Sequence, residues 1–163
     1  MKKNWKNKDN KGIALVEMII ASAVMLAVVI ATTVSYNTYV QYALANQNRV
    51  KIGYLLEEGL EAVTFLRDKG WSAYITPLST NTTYYLYNND TYWSATTTAQ
   101  YTDGQFLRSF TIENVNRDAN NDIAVAGTND TNTKKITATV AYFEGHATTT
   151  KSISMYMTNI NNN

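Results

Sequence analysis

Three kinds of hydrophobic patterning follow one another along the chain. From Gly12 to Thr32, read as GIALVEMIIASAVMLAVVIAT, apolar residues are nearly continuous. About 20 such positions suffice to cross roughly 30 Å of hydrocarbon at 1.5 Å per residue. Between positions 33 and 69 there is no Pro and no Gly-Asn type breaker, so the pattern predicts that the helix continues. In its second half Ile52, Leu55, Leu56, Leu60, Val63 and Leu66 recur at spacings of three and four. Arg49, Lys51, Glu57, Glu58, Glu61 and Arg67 lie mostly around the rest. Arg67-Asp68-Lys69-Gly70 is a stop signal, with cations beside the last carbonyls and a Gly able to take the left-handed cap. The expectation is one helix over 13–69, about 85 Å long, apolar all round at first and then one-sided. Gly59, on or beside the stripe, would permit a close backbone approach.

After Gly70 the period changes. Thr, Asn, Tyr and Ser dominate, with β-branched and aromatic runs between turn formers, which predicts strands. Residues 71–79 read as a connecting loop around Pro77, the single proline. Residues 82–87 and 91–94 flank Asn88-Asn89-Asp90, a hairpin signal. Residues 105–115 form a strand with Phe106, Phe110 and Ile112 on one face and Arg108 as the exception. Residues 135–143 alternate Ile136, Ala138, Val140 and Tyr142 against polar or small residues, and 147–157 alternate Ile153, Met155 and Met157, joined through Glu144-Gly145-His146 as a hairpin. The fold class expected is α+β: a long N-terminal α-helix, half transmembrane and half amphipathic, packed on a C-terminal antiparallel β-sheet over 70–163.

Charge adds an asymmetry. Residues 1–12 hold five of the fourteen basic side chains and one of the thirteen acidic ones, so a formal net charge of +1 divides into +4 for this stretch and −3 for the remainder. A Lys-rich segment before an apolar run stays on the cytoplasmic side, which sends the C-terminal bulk across the membrane. No basic patch beyond it points to nucleic acid. Arg49, Lys51, Arg67, Arg108, Arg117, Lys134 and Lys135 read as solvated. With no Cys and one His, His146, neither a disulfide framework nor a thiolate or His-rich metal site is available.

Glu17 interrupts the apolar run. An ionisable group at such a position costs on the order of 2–3 kcal/mol on insertion scales and marks a function with a partner to be found. A secretory signal peptide would have a shorter apolar region without an acid, and Ala21, Ala23 or Ala31 as cleavage positions. A plain anchor explains the length and leaves Glu17 without a role.

A basic leader ending in Lys11-Gly12, followed by Ile13-Ala14-Leu15-Val16-Glu17 and a long apolar stretch, resembles the processing motif of type IV prepilins. The resemblance covers the first 20 to 35 residues. It implies cleavage between Gly12 and Ile13 by a prepilin peptidase at the cytoplasmic face, with N-methylation of Ile13. It also implies the fold expected above and a structural role without catalysis. Residues 1–12 become the leader, and 13–32 the transmembrane and polymerisation part. The partners implied are other copies in a filament, other pilin-like subunits, the peptidase, the inner-membrane assembly platform, and the membrane before assembly. The location implied is the inner membrane, then an extracellular or periplasmic filament. The new α-amino group of Ile13 is cationic at neutral pH, and in staggered parallel helices it supplies Glu17 with a partner on a neighbouring subunit. Many major pilins begin the mature chain with Phe and carry a Pro near the position of Val34. Ile13 and Val34 stand there instead, so major pilin, minor pilin and pseudopilin stay open.

Other chemistry is weaker. Asp118, Asn120 and Asp122 alternate as oxygen side chains, the way a Ca²⁺ loop begins, but Ile123 replaces the turn Gly and no bidentate Glu follows; a solvated Asx turn is the competing reading. Related secretion pseudopilins often hold calcium in such loops. Tyr84, Tyr85, Tyr87, Tyr92, Trp93 and Tyr101 form either sheet packing or a stacking surface for a ligand such as carbohydrate. That surface on a monomeric membrane-anchored domain is the alternative function. Asn81, Asn89 and Asn129 begin N-glycosylation patterns. No nucleophile–base set, carboxylate pair or phosphate loop occurs at a recognisable spacing.

Overall fold

The computed structural model of the chain describes residues 11–88, 91–144 and 147–160. Helix α1, Lys11–Lys69, is continuous over 59 residues. The chain divides into two compact units, one ending at Asn48 and the other beginning at Arg49.

In the first unit α1 buries almost nothing. Ile13, Leu15, Val16, Met18 and the apolar residues through Val34 are exposed on every side of the helix, which is long and apolar enough to cross a membrane. Such a surface is stable only where something other than water covers it.

In the second unit the predicted stripe is the core face. Ile52, Leu55, Leu56, Ala62, Val63 and Leu66 of α1 are buried, with Leu60 packed along the same line. They lie against an antiparallel sheet of seven strands: β1 (Tyr84–Asn88), β2 (Trp93–Thr96), β3 (Tyr101–Thr102), β4 (Phe106–Arg117), β5 (Ile123–Ala124), β6 (Thr128–Glu144) and β7 (Ala147–Thr158). The order is β2-β1-β4-β6-β7, with β3 and β5 short additions to β4. Phe106, Phe110 and Ile112 of β4 and Ile136, Ala138, Val140 and Tyr142 of β6 point to the helix. Their pairing, Phe106 opposite Tyr142, Phe110 opposite Ala138 and Ile112 opposite Ile136, puts both apolar sets on one face. Gly59 is buried at the crossing, where a Cβ would stand 3.3 Å from Arg108 Cδ and 3.6 Å from the Ala138 methyl. The close approach expected of Gly59 is therefore made to β4 and β6.

Several expectations change. Residues 71–75 are a π-helical turn, Trp71–Ile75, that buries both of its ends. The connection is thus part of the core, because Trp71 and Ile75, four apart, fall on one side of a helical turn. Arg108 is not solvated: it is only 4% exposed on the inner face of β4. The other six cations of that group are not buried. The hairpin of β1 and β2 forms, with Asn88 opposite Trp93, while Asn89 and Asp90 lie outside the described residues. The hairpin of β6 and β7 forms with Glu144 opposite Ala147, and Gly145 and His146 lie outside the described residues. Strand β6 starts at Thr128, earlier than its apolar alternation suggests. Three β6 residues, 131–133, are extra between the Asn114–Lys134 and Val115–Asp130 pairs, an irregularity that turns Thr133 inward.

Candidate functional site

The site built around Glu17 is a matter of polar groups on an apolar helix. In a hydrocarbon environment each polar group needs an internal partner. Between Ile13 and Ser35 the polar side chains are Glu17, Ser22, Thr32, Thr33 and Ser35. Four of the five turn back on the helix: Ser22 Oγ donates to the Ile19 carbonyl at 2.9 Å, Thr32 Oγ1 to Val29 at 2.9 Å, Thr33 Oγ1 to Val29 at 2.8 Å and Ser35 Oγ to Ala31 at 2.9 Å. Thr38 repeats the arrangement with Val34 at 2.9 Å. No side chain among the described residues pairs with Glu17, whose carboxylate is the one polar group of this stretch left over.

Gly12 and Ile13 are exposed one turn before Glu17 on the same helix, so Ile13 and Glu17 stand at i and i+4, about 6 Å apart between Cβ atoms. Just beyond the apolar run, Tyr36, Tyr39 and Tyr42 are exposed at intervals of three. Aromatic residues with a polar tip are enriched at membrane–water boundaries. The spacing of these tyrosines after the last aliphatic residues is a signal the sequence carries.

The oxygen-rich loop after β4 is an Asx turn. Asp118 Oδ1 accepts from the backbone N–H of Asn120 at 2.9 Å and of Asp122 at 3.0 Å, and the Asp118 N–H donates to the Asp122 carbonyl at 3.0 Å. Asn121 takes φ 71° at the bend, and Arg117 Nη1 donates to its carbonyl at 2.8 Å. The Arg117 guanidinium thus braces the bend through a backbone carbonyl. No three His, Cys, Asp or Glu side chains converge among the described residues. Beside the loop, Arg117 Nε donates to Asp130 Oδ2 at 2.6 Å and Asp130 Oδ1 accepts from the Asn132 N–H at 2.9 Å. The bond from Arg117, then the Thr133 hydroxyl, hold the Asp130 carboxyl below the ordinary Asp value.

The aromatic residues of β1–β3 do not form one surface. Tyr84 is in the core, stacked on Phe110 with centroids 5.7 Å apart. Trp93 covers the Arg108 guanidinium at 4.8 Å, and Tyr92 shares the Lys69 ammonium with Tyr74, at 4.3 and 4.6 Å. Tyr87 and Tyr101 are exposed. Of the glycosylation patterns, Asn81 stands at a bend with φ 58° and Asn129 is exposed on β6; Asn89 lies outside the described residues. No protein-family model, no curated protein and no solved structure matches the chain.

Proposed function

We propose that the chain is a type IV pilin-like structural subunit, without catalysis of its own. It is exported through the inner membrane, cleaved between Gly12 and Ile13 by a prepilin peptidase, methylated on Ile13, and assembled into a filament through the apolar half of α1. The observation that carries the reading is the unmatched Glu17 carboxylate on a helix whose neighbouring hydroxyls are all satisfied internally. A group so placed calls for a cation from outside the helix. The ammonium of a cleaved Ile13 on an adjacent, axially staggered copy is such a cation. In low dielectric the pair chiefly sets register, since desolvation offsets much of its Coulomb gain.

The Lys11-Gly12-Ile13 junction and Glu17 at the fifth position after it support the same reading. So does a helix with no charged residue from Met18 to Asn48, which leaves its sides free to pack on lipid or on equivalent helices. Mass spectrometry of the protein purified from membranes tests it: the expected N-terminus is Ile13, heavier by one methyl group. A chain that retains Met1, or one that begins beyond Ala31, overturns it.

A further inference from the structure

Two unlike patches remain on the second unit. Along α1, Tyr54, Glu57, Glu61 and Phe65 fall within about 80° of one another at 100° per residue, on the side opposite the buried stripe. Tyr54 is 68% and Phe65 45% exposed, and neither Glu57 nor Glu61 pairs with a described residue. The second patch lies where α1 stops short of β7. Thr149, Lys151 and Ile153 of β7 stand opposite Tyr142, Val140 and Ala138 of β6 and share their inner face. Ile153 is nonetheless 43% exposed. Between this strand and α1 runs a groove of about 670 Å³, floored by Ile52, Leu56, Tyr142 and Ile153 and rimmed by Arg49 and Lys151.

One patch is acidic and aromatic, the other cationic at its rim and aliphatic at its floor. From this complementarity we infer that the groove between α1 and β7 receives the Tyr54–Glu57–Glu61–Phe65 stripe of a second copy of the chain. Glu57 and Glu61 meet Lys151 and Arg49 while Phe65 covers Ile153. Because the patches differ and face different ways, the contact is heterologous, and repeating it gives an open filament or a ring. The inference rests on the assembly reading above and adds to it a contact outside the apolar helix.

The absence of cysteine in the natural sequence makes the test direct. Full-length Phe65→Cys and Ile153→Cys chains are co-expressed and oxidised in membranes and in sheared filaments. The expected product is a mixed dimer, and the double variant should give a ladder. Lys151→Glu with Arg49→Glu should reduce the mixed product about fivefold, as should Glu57→Lys with Glu61→Lys, and combining the two reversals should restore it. Products formed only between identical variants, as in edge pairing of β7 with β7, overturn the proposal, as do losses that add when the reversals are combined. Filaments without the mixed product overturn the contact and leave the subunit reading standing. A ladder in membranes from cells that never make filaments supports the contact and removes that reading.

Discussion

Arg108 on β4 brings Nη1 within 2.5 Å of Glu58 Oε2 on α1, joining helix and sheet by an ion pair whose cation is 5% and whose anion is 45% exposed. The guanidinium lies under the Trp93 ring, and its buried Nε has no acceptor. A cation on the inner face of β4, between Phe106 and Phe110 in the strand and opposite Val140, is costly to leave alone. Glu58→Ala is therefore expected to destabilise the fold by about 2 kcal/mol, less than a fully buried pair would lose because water reaches the carboxylate. Arg108→Met removes cation and demand together and should cost under about 1 kcal/mol, or stabilise. Chemical denaturation of the detergent-solubilised chain measures both. An Arg108→Met loss as large as that of Glu58→Ala would make the pair a net source of stability.

Gly127, between β5 and β6, has φ +150°, and a Cβ there would lie 2.1 Å from the Arg117 carbonyl oxygen and 3.3 Å from the Asp118 N–H nitrogen. The obstacle is backbone, which cannot swing aside as a side chain does. Gly127→Ala should cost about 3 kcal/mol or more and release the Arg117–Asp130 corner. Denaturation together with amide exchange at Asn129 and Asp130 checks this. A loss below 1 kcal/mol, with exchange unchanged, would show that the corner relaxes freely.

What the sequence discloses depends on whether a position's surroundings repeat. The α1 stripe and the inner faces of β4 and β6 were legible because burial follows the local period there, 3.6 or 2. Arg108 was not: a lone charge on an apolar face carries no mark of its partner, which lies on another element. The same holds for β6 before Lys134, where polar residues pair with β4 through backbone hydrogen bonds and the Arg117–Asp130 contact, neither of which leaves a hydrophobic period, and for the two-residue strands β3 and β5. Gly12, Ile13 and Glu17 stand out only through their resemblance to the prepilin motif. The contact proposed for Glu17 is made to a second chain, so no feature of one folded copy displays it.

Asp130 gives the fold a dependence on acid. Its carboxyl is held below the ordinary value by the bond from Arg117 and by the Thr133 hydroxyl, against a smaller opposing effect of burial. A lowered folded-state value means that the stabilisation is present above the unfolded pKa of about 3.9 and is lost as pH falls through the folded one. Asp130→Asn should thus be less stable than the natural chain at pH 7, by about 1 kcal/mol for a pair part-exposed to water. The two should converge in acid, once the pH has fallen through that lowered folded-state value. Melting temperatures followed by circular dichroism at pH 7 and in acid provide the comparison, and an equal gap at both would assign the effect to packing.

If the proposed function holds, Glu17 separates processing from assembly. Cleavage after Gly12 leaves the carboxylate in the second turn of the mature helix, near the positive end of its dipole, so part of its compensation comes from its own chain. In the proposed filament the remainder would come from a neighbour's Ile13 ammonium. Glu17→Ala should leave cleavage intact but strand that ammonium, a loss of order 3–5 kcal/mol at each contact, and so exclude the variant from filaments more than about a hundredfold in competition with the natural chain. Glu17→Asp keeps the charge on a shorter arm and should fall between them. Quantitative mass spectrometry of filaments from cells making equal amounts of both chains reads the ratio directly. Incorporation of Glu17→Ala in proportion to its synthesis would remove Glu17 from the contact, whatever its effect on export.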